Sequence, residues 1–154
     1  MPICYQLIGV PASGKSTWAK SRDWAHLCSY ISTDKWIEYL AKETGQTYSQ
    51  VFAEFMPIAV SLMTKEVQIA HKNGRDIIWD QTSVTAKSRV RKFRMLPEYE
   101  HIAVVFKTPE EEEHTRRLHQ AGKEIPSHVI QEMIKNFEFP TEQEGFKEIR
   151  LIGF

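Results

Sequence analysis

Eight consecutive residues carry the strongest chemical signal in the sequence: Gly9-Val10-Pro11-Ala12-Ser13-Gly14-Lys15-Ser16. They fit the pattern G-x-x-x-x-G-K-[ST], the Walker A phosphate loop. Its glycines allow backbone conformations that other residues resist. The loop's N–H groups can then turn inward as a nest for phosphate oxygens. In that pattern Lys15 neutralises the β- and γ-phosphates of ATP, and the Ser16 hydroxyl ligates Mg²⁺. Thr17 continues the site into a helix whose positive end adds to the grip. With glycine near ~7% of residues, a chance match arises in about one chain in 200 of this length. An apolar strand before it and a helix after it make the match more specific still.

Two carboxylates belong to the same chemistry. Asp34 lies in Tyr30-Ile31-Ser32-Thr33-Asp34, just past a second apolar run. There it would face the γ-phosphate and could take the proton of an attacking hydroxyl. It also suits the N-cap of the next helix. Asp80 opens Asp80-Gln81-Thr82-Ser83 at the end of a third run. A carboxylate there can organise Mg²⁺ through water or orient the acceptor, with Thr82 beside it. Lys87, Arg89, Arg91, Lys92 and Arg94 follow on one predicted helix, so only some can face the site. Arg89 is the candidate for substrate binding, and a solvated face accounts for most of the others. Arg116 and Arg117 are candidates for clamping phosphate. They lie late in a helix that opens with four glutamates, so they can also pair with Glu112 or Glu113 and favour the helix dipole.

The elements needed to position these groups alternate along the chain. Strands are predicted over Ile3–Ile8, Ser29–Ser32, Asp76–Trp79, Ile102–Phe106 and Ile149–Ile152. Helices are predicted over Ser16–His26 and Asp34–Thr44, and from a Thr47 cap to about Asn73, with Pro57 a kink or break. A basic helix follows over Thr85–Leu96, stopped by Pro97. Thr108-Pro109-Glu110 reads as a helix start running toward Gly122, and Ser127 caps a last helix to about Glu138. Alternation of this kind predicts an α/β fold: a parallel five-stranded sheet with helices on both faces. Ligands in such folds sit at the carboxyl ends of the strands. The loop at 9–16, Ser32–Asp34, Asp80–Ser83 and Lys107–Thr108 should therefore converge on one crevice.

Composition narrows the class. A chain of 154 residues suits one domain, taken as 1–154 with a lid at about 114–126. At that size ~70% of the unfolded surface is buried, so no disulfide or metal staple is needed. Lys plus Arg and Asp plus Glu are 20 each, giving zero net charge. A polyanion would have to be gripped by a local patch. Cys4 and Cys28 lie in apolar runs and read as reduced core residues of a cytoplasmic protein. The histidines, His114 and His119 included, show no metal-ligand spacing and read as surface or packing residues. No secretory leader is expected at the N-terminus, and no run approaches the ~18 apolar residues of a membrane span. The guanine-reading N-K-x-D element of GTP switches is missing.

Across almost its whole length the chain resembles the kinase module of bacteriophage 5′-polynucleotide kinases, among small P-loop kinases that include zeta-toxin-like proteins. The resemblance rests on Ile8-Gly9 through Thr17-Trp18-Ala19, Asp34, Ile77-Ile78-Trp79-Asp80-Gln81-Thr82, and Ile125-Pro126 through Phe137-Glu138. It implies a P-loop kinase fold and transfer of the ATP γ-phosphate to a 5′-hydroxyl of DNA or RNA, in the cytoplasm of a host if phage-encoded. It implies that Asp34 is the general base, that Asp80 is a second acidic site residue, and that Arg116 or Arg117 clamps phosphate from the lid helix. Ile37 departs from the phage member, which has arginine there. That departure and the zero net charge favour an alternative, a small-molecule kinase acting on a sugar or nucleoside. A non-enzymatic nucleotide-binding protein is the third reading, and intact Lys15, Ser16 and Asp34 speak against it.

Overall fold

A computed structural model describes residues 1–154. Five strands form one sheet: β1 (Ile3–Ile8), β2 (Cys28–Ile31), β3 (Asp76–Asp80), β4 (Glu100–Phe106) and β5 (Phe146–Ile152). The spatial order is β2-β3-β1-β4-β5, with every pairing parallel. Six helices connect and cover them: α1 (Lys15–Lys20), α2 (Asp34–Thr44), α3 (Tyr48–Lys72), α4 (Ala86–Met95), α5 (Glu111–Gln120) and α6 (Ser127–Lys135). None is long and apolar enough to cross a membrane.

The strands are apolar because both faces of the sheet are covered. Side chains alternate across a strand, so Cys4 and Ile77 pack with Met63 and Val67 of α3 on one face. Tyr5 and Ile78 pack with Ala19 of α1 on the other. Leu7, Ile8, Ile77 and Ile78 are almost wholly buried, each contributing about 1.5–3 kcal/mol. Cys4 and Cys28 are buried and free.

Most boundaries follow local chemistry. Thr47 and Gln50 form a reciprocal capping box at the start of α3, and Thr85 and Ser88 form another at α4. Three expectations need correction. The first helix ends at Lys20 rather than near His26, because Trp24 turns back to stack on Tyr5, with ring centroids 4.8 Å apart, and against Trp18. Pro57 lies within the continuous α3 and does not break it. Pro57 and Ala53 are both exposed, so the carbonyl that loses its donor is open to water. The caps expected at Thr108 and Ser127 are displaced: Glu110 takes the N-cap position of α5 and Pro126 that of α6, neither with a side-chain capping bond.

Candidate active site

The carboxyl ends of β1, β2, β3 and β4 open into one cleft of about 1390 Å³, as the alternation of elements requires. Its floor is the loop after β1. Gly9 N–H donates to Thr82 O at 2.9 Å, tying the loop to the chain leaving β3. A Cβ on Gly9 would stand 2.6 Å from Ser13 Oγ and 3.1 Å from Phe106 Cβ, so this position has no room for a side chain. Further along, Ala12 has φ 60 and Gly14 φ 103, the left-handed turns that wrap a loop around a ligand. His114 Nε2, buried on α5, donates to Pro11 O at 2.7 Å and fastens that helix to the loop.

Lys15 is 7% exposed. Its Nζ donates to the carbonyls of Gly9 at 2.9 Å and Val10 at 2.8 Å and makes no ion pair. Burial pulls the ammonium down to about 8, partly offset by Asp80 and Asp34 across the cleft, while Lys123 lowers it further. A buried cation without a carboxylate partner is costly. Ser13 Oγ, in the same loop, is buried with no partner at all. These two observations fit a phosphate-bearing ligand, which would supply the missing anion and acceptor. Ser16 and Thr17 line the cleft next to them, and Ser16 has the hydroxyl that a hard cation such as Mg²⁺ prefers. Because α1 has only six residues, the grip rests on loop N–H groups and Lys15 more than on a helix dipole.

Asp34 is the first residue of α2. Its carboxylate does not cap the helix. It accepts from Tyr48 OH at 2.7 Å and from Lys123 Nζ at 2.5 Å, and it faces the cleft. Asp80 is buried and accepts a short hydrogen bond from Tyr30 OH. Burial pushes its carboxyl up, against the pull of Lys15 and the Tyr30 hydroxyl. Both tyrosines are pushed up as well, first by burial and then by the aspartate each one faces.

The structure separates the arginines. Arg117 lines the cleft and bonds to Glu113 at 2.8 Å. Arg116 pairs with the same Glu113, but it lies outside the cleft with its side chain 58% exposed. Neighbours on a helix point about 100° apart, so one of the two must turn away. Arg89 is also corrected. It is fully buried, donates two bonds to Glu144 at 2.8 and 3.1 Å and one to Ser83 O at 2.8 Å, and does not reach the cleft. Ser83 sits at φ 46, so Arg89 holds a strained turn just beyond Asp80 and Thr82. Among the cleft's cations, Lys107 was expected there from the sequence, whereas Lys20, Arg22, Lys35 and Lys123 were not singled out. Nor were Tyr30, Tyr48 and His114, whose contacts join segments far apart in the chain.

The AAA domain family matches residues 5–140. The chain belongs to that family. A Chloroflexus aurantiacus protein provisionally described as a kinase superposes with a TM-score of 0.72 at 13% identity, covering 98% of this chain and 84% of that one. A gluconokinase of Sinorhizobium meliloti gives a TM-score of 0.54 at 15% identity, over 97% of this chain and 81% of that one. Shikimate kinase of Acinetobacter baumannii, solved with shikimate, gives 0.54 at 16% identity, over 97% and 82%. At such identities the likeness is one of fold, and the fold of this AAA-domain chain is that of the small P-loop kinases. Among curated sequences, heterogeneous nuclear ribonucleoprotein U-like protein 2 of Mus musculus is 26% identical over 159 aligned positions, 93% of this chain and 20% of that protein. The chain thus spans about one fifth of the curated relatives it matches.

Proposed function

We propose that the protein is an ATP-dependent kinase that transfers the γ-phosphoryl group to a hydroxyl acceptor, and that the acceptor is the 5′-hydroxyl of a polynucleotide. The observation that supports the kinase reading is that Asp34 and Asp80 line the same cleft as Lys15, close enough for their charges to favour its ammonium. When bound, ATP with Mg²⁺ supplies the transferable phosphoryl group and most of its charge neutralisation. In this reading the loop and Lys15 would hold the phosphates, and Ser16 would ligate the metal. Asp34 orients the acceptor hydroxyl and takes its proton. Tyr48 fixes the Asp34 carboxylate, and Lys123 covers it until an acceptor arrives. Arg117, not Arg116, supplies the second cation from the segment at about 114–126, which acts as a lid. The cleft exceeds the roughly 300–1,000 Å³ of a site for one small molecule, which suits two substrates.

The polynucleotide acceptor draws on the segments around Asp80-Gln81-Thr82 and Ile125-Pro126, and on a curated relative that is named as a ribonucleoprotein. A small-molecule alcohol is the second reading. In its favour, Ile37 is fully buried and leaves no basic group at that position, and α4 contributes no cation to the cleft. Incubation with γ-labelled ATP, Mg²⁺ and a panel of 5′-hydroxyl oligonucleotides, nucleosides and sugars decides between them. Label on oligonucleotides supports the first acceptor, and label only on small alcohols supports the second. Label on none would overturn the kinase reading.

A further inference from the structure

A second cavity, of about 220 Å³, lies beside the cleft and shares Gln81 and Thr82 with it. Its walls carry two cations, Arg91 and Lys92, the hydroxyls of Ser83 and Ser88, and no carboxylate. Lys92 is 5% exposed. Its ammonium lies 5.1 Å from the Trp79 ring centroid. The guanidinium groups of Arg91 and Arg89 are the nearby cations, and both repel it. No carboxylate or hydrogen-bond acceptor is in reach of the amine. Ser83 Oγ is buried with no partner, whereas the Lys92 amine keeps a trace of solvent contact.

Burying an ammonium without an anion is costly, and proteins avoid it unless something supplies the charge. The face of Trp79 returns only part of that cost. Burial lowers the amine to about 8, so it is still mostly protonated at neutral pH. The volume equals roughly seven waters at ~30 Å³ each. That is ample room for one tetrahedral anion. Three ammonium donors, the guanidinium donors that Arg91 leaves free beside its 3.2 Å bond to Thr64 Oγ1 and a free hydroxyl make the donor set a phosphate ester needs.

We infer that this cavity is a phosphate subsite separate from the loop at 9–16, holding one phosphate mono- or diester group between Lys92, Arg91 and the Ser83 hydroxyl. Its place beside Gln81 and Thr82 puts it next to the acceptor side of the cleft. The group can be a phosphodiester of the acceptor itself or a free phosphate. The first source rests on the kinase reading above; the subsite does not.

The test has two arms. In the first, thermal unfolding is followed with inorganic phosphate against sodium chloride of equal ionic strength. The Lys15→Ala background is used so that the phosphate loop contributes little. Phosphate should raise the midpoint of Lys15→Ala, and adding Lys92→Met should remove most of that rise. Arg91→Gln, at an exposed position, serves if the Lys92 variant does not fold. No rise in Lys15→Ala, or an equal rise with Lys92→Met or Arg91→Gln, overturns the subsite and leaves Lys92 as a packing residue over Trp79. In the second arm, on the parental background, Lys92→Met is assayed with a 5′-hydroxyl dinucleotide and with the matching nucleoside. A KM increase of about tenfold or more for the dinucleotide alone assigns the phosphate to the acceptor. If KM moves for neither while the first arm holds, the ligand is a free phosphate. If no acceptor is phosphorylated at all, the kinase reading fails and the first arm still decides the subsite.

Discussion

Replacing Arg89 by Met tests where that side chain acts. Its guanidinium is fully buried and loses three hydrogen bonds, two to Glu144 and one to Ser83 O. Removing one partner of a buried pair leaves an uncompensated charge and costs about 3–5 kcal/mol. Glu144 keeps the Thr141 N–H at 2.9 Å and retains some solvent contact, so the low end applies, about 3 kcal/mol. For a domain of this size that lowers the unfolding midpoint by about 6–12 °C. The loss should also depend on pH. Burial pushes the Glu144 carboxyl up, but Arg89 and Thr141 together hold it below its ordinary 4.5. Its contribution is therefore present above that pH and lost as pH falls through the lowered value. Differential scanning calorimetry from neutral to acid pH reads both effects. A variant that melts with the parental protein, yet shows a raised KM for its acceptor, would refute the structural role and return Arg89 to the substrate.

Four further outcomes follow from the same geometry. Lys15→Ala should abolish ATP turnover by removing the loop's only ammonium, measured by release of labelled phosphate; near-normal turnover would defeat the kinase reading. Asp34→Asn keeps a polar group for Tyr48 and should bind ATP almost as the parent while transferring phosphate about 10²-fold more slowly or worse. Transfer at the parental rate would make Asp80 the candidate base. Lys92→Met should stabilise the protein at neutral pH by about 3 kcal/mol. Its ammonium is held near 8 against an ordinary 10.5, so the unfolded chain binds more protons between those values. The advantage of the variant over the parent should therefore shrink as pH rises across that window, and urea titrations of the two proteins side by side measure it; a constant difference would refute a charged, buried amine. Finally, hydrogen exchange of residues 116–123 should slow when an ATP analogue is added, and equal exchange in both states would count against a closing lid.

The phosphate loop and Asp34 were legible because their signals are local: eight adjacent residues in one case, a polar residue at a strand end in the other. The five strands were legible for the same reason, since a buried parallel sheet writes itself as short apolar runs. What the sequence hid depends on direction or distance. Arg116 and Arg117 are adjacent, and only packing decides which turns inward. Arg89 read as a substrate-binding cation and Lys92 as part of a solvated face until α4 is seen against α3 and the turn at Ser83. Asp34 meets Lys123, 89 residues further along the chain, and Pro11 meets His114, 103 residues further along. No spacing rule predicts such pairs.

The central place of β1 has a consequence for how the protein matures during synthesis. On one side Cys4 is paired with Ile77, and on the other with His101. The strand from which the phosphate loop hangs is synthesised before both its neighbours, which arrive late. Contacts so distant in sequence form slowly, because a long loop must close before they give anything back. A nascent chain cut before β4 would therefore carry the entire phosphate loop and still have no working nucleotide site. Affinity for ATP should switch on abruptly with chain length, as the sheet closes around the first strand.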